Sequence, residues 1–355
     1  MTNQMPYDEP YLQTLKESRK AYSRLGIAVI VLLVAYLGSA YALSYIVAYT
    51  MPSLYNAWWF SWAINTIPLY AIAFPLFFLC IKRAPVGEHD FTYDARGYVY
   101  QKPRFHIGHF CLFFLMAVGL MYIGSFVGNA MMSWMSEKTG ASYENSLNDL
   151  ATNSPQWMIF LVSVVIGPIG EELIFRKLFI DRARRYGDGM AILLSALLFA
   201  LFHGNFFQFF YAFFVGAVMA YLYTWTGKFV YPALMHMGLN FMGMMLMPNL
   251  LDWLGLSELA TLDPENTAAI NAFIQQHSSA YALYSVITLL VYATMLFAVI
   301  MVVHLICKRK IYLGVGEIVL RSEDRAATAF GNKGIAICIF LLCLLMALNL
   351  IPMPQ

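Results

Sequence analysis

Apolar runs of roughly 20 residues recur along almost the whole chain, and that repetition limits the fold more than any other feature. In hydrocarbon every backbone N–H and C=O must find a partner within the protein, so such runs fold as spanning α-helices. Composition agrees, with 60% of the 355 residues hydrophobic and 12% charged. A typical soluble domain carries about 25% charged residues. The expected fold is all-α, a polytopic membrane bundle of about nine transmembrane helices. Their expected limits are roughly 25–49, 58–80, 106–134, 156–186, 190–203, 206–226, 229–247, 281–307 and 335–351.

Local punctuation refines these limits. Pro68 and Pro75 are expected kink points in the second span. Gly124-xxx-Gly128 in the third allows a close helix contact. Gly187-Asp188-Gly189 and Gly204-Asn205 break the chain on either side of the short fifth span, with Asn205 expected to cap the next helix. The first apolar run follows about 24 polar residues and is too long for a signal-peptide core, so a retained span is expected.

The basic residues orient the bundle. With a cytoplasmic amino terminus, 21 of the 22 Lys and Arg fall on the inner side and only Lys138 lies outside. The expected organisation is one membrane domain in five stretches. Residues 1–24 form a cytoplasmic amino-terminal segment and 25–154 the first spans with their loops. Residues 155–247 form a polar-residue-bearing core, 248–280 an acidic extracytoplasmic loop, and 281–355 the last spans with a basic cytoplasmic loop. The five cysteines lack metal-ligand spacing and are expected as free thiols. Trp58, Trp59, Tyr221, Tyr223 and Trp225 are expected in interfacial aromatic belts. His89, His106, His109, His277 and His304 fall in loops or near span ends, as interfacial or solvated residues. There is neither a glycine-rich phosphate loop nor a His-Glu-xx-His zinc motif.

The chemistry concentrates in Gly167-Pro-Ile-Gly-Glu-Glu-Leu-Ile-Phe-Arg176. A charge at the bilayer centre costs about 3 kcal/mol on insertion scales, so adjacent carboxylates there need a purpose. Glu172 and Arg176 are i,i+4 and can pair on one helix face, which leaves Glu171, about 100° around the helix, for another partner. Simple pairing of both carboxylates with basic neighbours such as Lys177 is equally compatible with this segment alone. Glu171 and His203 are equidistant from Gly187, so an antiparallel hairpin turning there sets both at the same depth. The turn itself, with Arg182, Arg184 and Arg185, is expected to protrude into the cytoplasm. His236 and Asn240 are i,i+4 and share a face of the seventh span. A fully crossing sixth span separates His203 from His236 in depth unless the helices tilt or the fifth span ends inside the membrane.

Glu171-Glu172-xxx-Arg176, Phe199-xxx-His203 and His236-xxx-Asn240, in that order on membrane helices, resemble the three motifs of the CAAX-protease and bacteriocin-processing family. This is the Abi-type group of intramembrane proteases that includes the type II CAAX prenyl endopeptidase, and the resemblance covers roughly 155–247. It implies a metal-independent glutamic endopeptidase without cofactor, acting in the cell membrane on a membrane-associated peptide or protein and not on nucleic acid. By that resemblance Glu171 is the general base with His203 beside it. His236 and Asn240 stabilise the oxyanion, and Glu172, Arg176 and Phe199 support the site. Two alternatives use the same residues: a zinc protease with one Glu and two His as ligands, and a non-catalytic bacteriocin-immunity or scaffolding protein. A transporter ranks lower, because no symmetry-related pair of broken spans is visible.

Overall fold

The computed structural model describes residues 8–88, 104–143, 154–263 and 265–351. His89, Arg96, Lys102, Glu144 and Asp149 lie outside the described residues. The fold is an all-α membrane helical bundle, with no strand among the described residues. Its main helices are α1 (Glu9–Thr50), α2 (Phe60–Ile81), α3 (Ile107–Thr139), α4 (Gln156–Tyr186) and α5 (Asp188–Phe202). There follow α6 (Phe206–Thr226), α7 (Val230–Phe241, running on through Met242–Leu246 and Met247–Trp253), α8 (Ser278–Cys307) and α9 (Lys333–Leu348). Six of them, α1 to α4, α6 and α8, are long and apolar enough to cross a membrane. A seventh is reached if the helix Ser322–Phe330 and α9, bent by 58° at their junction, count as one span. The fifth and seventh expected spans are less self-evident for a physical reason: α5 has only 15 residues, and α7 carries the polar His236 and Asn240.

Small residues let the helices approach backbone to backbone. A Cβ on Gly124 would come within 2.4 Å of the Tyr211 backbone, and one on Gly128 within 2.7 Å of the Phe206 carbonyl. The glycine pair expected to permit a close contact is therefore the seam between α3 and α6. Gly26 and Gly334 make the same kind of crossing between α1 and α9. Pro68 and Pro75 do not interrupt α2: Pro68 opens a widened, π-helical turn at Pro68–Ala73, and Pro75 sits in the first turn of the α-helical stretch Phe74–Ile81 that follows.

At the α4–α5 turn Arg182 and Arg184 are buried within the protein. Arg182 donates to the Ile81 and Leu178 carbonyls at 2.9 Å, and Arg184 pairs with Asp188 at 3.0 Å. A loop from the far end of the chain clasps the turn. Asp188 exchanges hydrogen bonds with Gly314 (2.9 and 3.0 Å), and Arg185 pairs with Glu317 at 3.0 Å. Gly187 takes φ +115°, a conformation open to glycine alone at little cost. Of the belt residues expected on this side, Tyr223 is the exception. Tyr223 is buried and donates to Asp181 at 2.6 Å, while Tyr221 and Trp225 pack among Phe113, Phe105 and Tyr312. Trp58 and Trp59 are half-exposed, as a belt requires. All five cysteines are free thiols.

The α3–α6 seam yields a direct test. Gly124→Leu forces backbone apart and is expected to cost about 1–3 kcal/mol, read as a lowered midpoint in thermal unfolding of the detergent-solubilised protein. Gly38→Ala, at a position with open space around it, should leave that midpoint unchanged.

Candidate active site

The site is built where α4, α5 and α7 meet. Two wide-turn stretches in α4, Ile159–Ile166 and Leu173–Ile180, flank Gly167–Glu172, and a third in α7, Met242–Leu246, follows Asn240. Such π-helical turns are rare and gather at functional sites. The first has a visible consequence. The Gly167 N–H bonds the Val162 carbonyl, five residues back, so in this register the Ser163 carbonyl would need the N–H of residue 168. That residue is proline and has none. Asn240 on α7 fills the deficit, its Nδ2 donating to the Ser163 oxygen at 2.8 Å. A missing proton on one helix thus fixes a polar side chain on another.

Glu172 and Arg176 form the expected pair, Nε to Oε2 at 2.9 Å, and both side chains are fully buried. Arg176 is held on two further sides. Its Nη1 donates to Ser195 Oγ at 2.8 Å, and its guanidinium lies over the Phe199 ring at 4.8 Å, a cation–π contact. Ser195 in turn donates to the Phe175 carbonyl at 2.9 Å. The other oxygen of Glu172 faces His236 Nδ1 at 3.0 Å. A carboxylate only accepts, so Nδ1 carries the proton of that bond.

Glu171 lies on the other side of the same histidine. Its Oε2 is 3.9 Å from His236 Nε2, beyond a direct hydrogen bond and within reach of one shared water. That oxygen is buried and has no hydrogen-bond partner among the described residues, while the side chain as a whole keeps 28% exposure. Lys177 does not engage either glutamate and pairs instead with Asp181 at 3.0 Å. Tyr70 and Tyr211 come within electrostatic reach of Glu171. Tyr70 donates to the Gly167 carbonyl at 3.2 Å and presses its ring on Gly170, where a Cβ would fall 2.2 Å from it.

His203 terminates α5 and stacks edge-on against Phe199 at 4.8 Å; the same ring meets His236 at 5.7 Å. Both histidines therefore stand at one level, and the depth conflict resolves through the shortness of α5, about 22 Å long at the usual rise. His203 Nδ1 lies 2.8 Å from the Phe199 carbonyl, which can only accept, so Nε2 is left with its lone pair. No hydrogen bond or ion pair joins His203 to Glu171 among the described residues; the histidine in contact with the carboxylates is His236. Asn205 caps α6 through Gln208 N at 3.0 Å and donates to the His203 carbonyl at 2.9 Å, the capping role expected of it. No group of three or more His, Cys, Asp or Glu suited to a metal ion occurs among the described residues.

Ser195, Tyr70 and Tyr211 were not singled out by sequence reasoning. Ser195 carries a legible signal: with Phe199 and His203 it falls on one i,i+4 stripe of α5. Tyr70 and Tyr211 carry none, because an aromatic in an apolar helix reads as packing.

Fold and site together define a class: a polytopic membrane protein with a cluster of carboxylates, histidines and amides enclosed by its own helices. Residues 153–242 match the family model described as Type II CAAX prenyl endopeptidase Rce1-like, so this segment is similar to that family. That stretch contains every motif residue named above. No curated protein and no solved structure matches the chain. Peptidases of that family act on a peptide or protein substrate, and the long apolar helices of this chain imply a lipid bilayer around it.

The buried pair predicts an unequal response to single and double replacement. Arg176→Met leaves Glu172 charged and uncompensated and is expected to cost about 3–5 kcal/mol. Glu172→Leu/Arg176→Met should recover part of that loss, which the order of the three unfolding midpoints in detergent will show.

Proposed function

We propose that the protein is an intramembrane glutamic endopeptidase, in the cell membrane with its amino terminus cytoplasmic, that hydrolyses a peptide bond in a membrane-associated substrate. The observation that carries this reading is the difference between adjacent carboxylates. Glu172 is committed to Arg176 and His236, whereas Glu171 keeps a buried, unpartnered oxygen beside the free edge of the same imidazole. A general base needs such an uncommitted oxygen within reach of water.

In this mechanism Glu171 takes a proton from water as the oxygen attacks the scissile carbonyl. His203, with Nδ1–H spent on the Phe199 carbonyl, accepts the water's second hydrogen bond at Nε2 and orients it. Asn240 has one amide hydrogen on Ser163 and directs the other to the developing oxyanion. His236 donates to that oxyanion from Nε2, and Glu172 on its Nδ1 side supplies the counter-charge. The proton held by Glu171 then passes to the departing amine. Glu172, Arg176, Ser195 and Phe199 hold the geometry and touch no reacting atom.

Comparative proteomics of membrane-derived peptides tests the proposal in cells bearing the native protein or Glu171→Gln. Peptides dependent on the native chain should vanish in the variant at equal protein level, and Asn240→Ala should reduce their rate of formation by about 10²–10³. Identical peptide profiles would refute proteolysis and favour a scaffolding or immunity role. Cleavage in isolated membranes should persist in EDTA; loss that zinc restores would replace the metal-free mechanism with the zinc one.

A further inference from the structure

A second polar site lies outside the motif-bearing core, between the first and last long helices. Lys16, Arg19 and Lys20 of α1 and Lys333 at the start of α9 line one open cavity of about 560 Å³, with Leu12 and Leu15 as its apolar wall. On α1 these residues follow helical spacing and so present one stripe. The crossing of Gly26 with Gly334 brings the beginning of α9 against that stripe, and the Gly334 N–H donates to Ser23 Oγ at 3.0 Å. The convergence of cations is thus imposed by packing. Among the described residues none of the four pairs with a carboxylate. Asp324, the acid in the lining, instead accepts from the Tyr11 hydroxyl at 2.8 Å.

Four cations without an ion-pair partner among the described residues repel each other around one cavity, against a single acid, Asp324, in its lining. Their position indicates what does. The apolar runs of α1 and α9 both begin within a turn or two of the cavity, so its mouth lies where the helices enter the bilayer, at headgroup level. Basic pockets between helices at that level suit phosphate headgroups. The general preference for basic residues on one side of a membrane accounts for their number. It does not account for their meeting across two helices 311 residues apart in sequence, as the Ser23–Gly334 contact is.

We propose that this cavity binds the phosphodiester headgroup of an anionic phospholipid, with Lys16, Arg19, Lys20 and Lys333 as its ligands and the acyl chains running along α1 and α9. The site is independent of the protease reading and is testable without a peptide substrate. The full-length protein in neutral detergent is titrated with phosphatidylglycerol, phosphatidylcholine or inorganic phosphate, and binding is read by native mass spectrometry and by the shift in unfolding midpoint. Phosphatidylglycerol should bind at least tenfold more tightly than phosphatidylcholine. Replacement of the four cations by Gln should abolish that preference. Lys228→Gln/Lys308→Gln/Arg309→Gln/Lys310→Gln, which removes equal charge elsewhere, should retain it. Without lipid the cavity variant should melt at or above the native midpoint, because like-charge repulsion has been removed. Should the fourfold variant not fold, the exposed Lys333→Gln replacement carries the test with a smaller loss in the same direction. Equal binding of both lipids, or equal loss in the two fourfold variants, overturns the site. Inorganic phosphate giving the full effect alone overturns the lipid assignment in favour of a soluble anion.

Discussion

The buried Glu172–Arg176 ion pair is the constraint on which the rest of the structure turns. Two ions removed from water cost several kcal/mol each, and their mutual attraction offsets that only when the remaining donors and acceptors are also satisfied. Each compensation recruits another helix. Ser195 and Phe199 attach α5, and His236 attaches α7. Three helices are therefore locked in register by one arginine and its carboxylate. The site is a by-product of this arrangement: once Glu172 is spent, its neighbour at the next helical position is left facing the same imidazole.

The wide turns in α4 serve the same end. A regular helix satisfies its own carbonyls and offers nothing to a neighbour. The stretch Ile159–Ile166, followed by Pro168, releases the Ser163 carbonyl, and Asn240 is drawn to it. Tyr70 donates to the Gly167 carbonyl over the bare surface of Gly170. Irregular backbone at this depth is tolerable because protein groups and not lipid meet the freed acceptors.

Much of this was legible in the residues. The i,i+4 rule identified Glu172 with Arg176, since helical spacing alone decides which side chains share a face. The pairing of glycines with the α3–α6 seam and the capping by Asn205 were equally local. What escaped was set by tertiary contact. The hairpin count set His203 at the depth of Glu171, yet the histidine that touches the carboxylates is His236, because the rotation of each helix about its own axis is decided by packing. The burial of Arg182 was not legible, because the Ile81 carbonyl that holds it lies 101 residues away. Tyr223 looked interfacial because its partner Asp181 sits on a different helix. The span count was ambiguous for the same reason that the site exists: polar residues lower the apolarity of the helices that carry them.

The clasp on the α4–α5 turn bears on the order in which the protein comes into being. Asp188 finds Gly314 across a separation of 126 residues, and Arg185 finds Glu317 across 132. A ribosome adding about 5–20 residues per second delivers the loop roughly 6–25 s after the turn has emerged. During that interval the hairpin bearing both carboxylates exists without the frame that steadies its tip. Maturation of the hairpin is thereby tied to the synthesis of residues 314–317, and a chain that stops before residue 314 lacks the frame altogether.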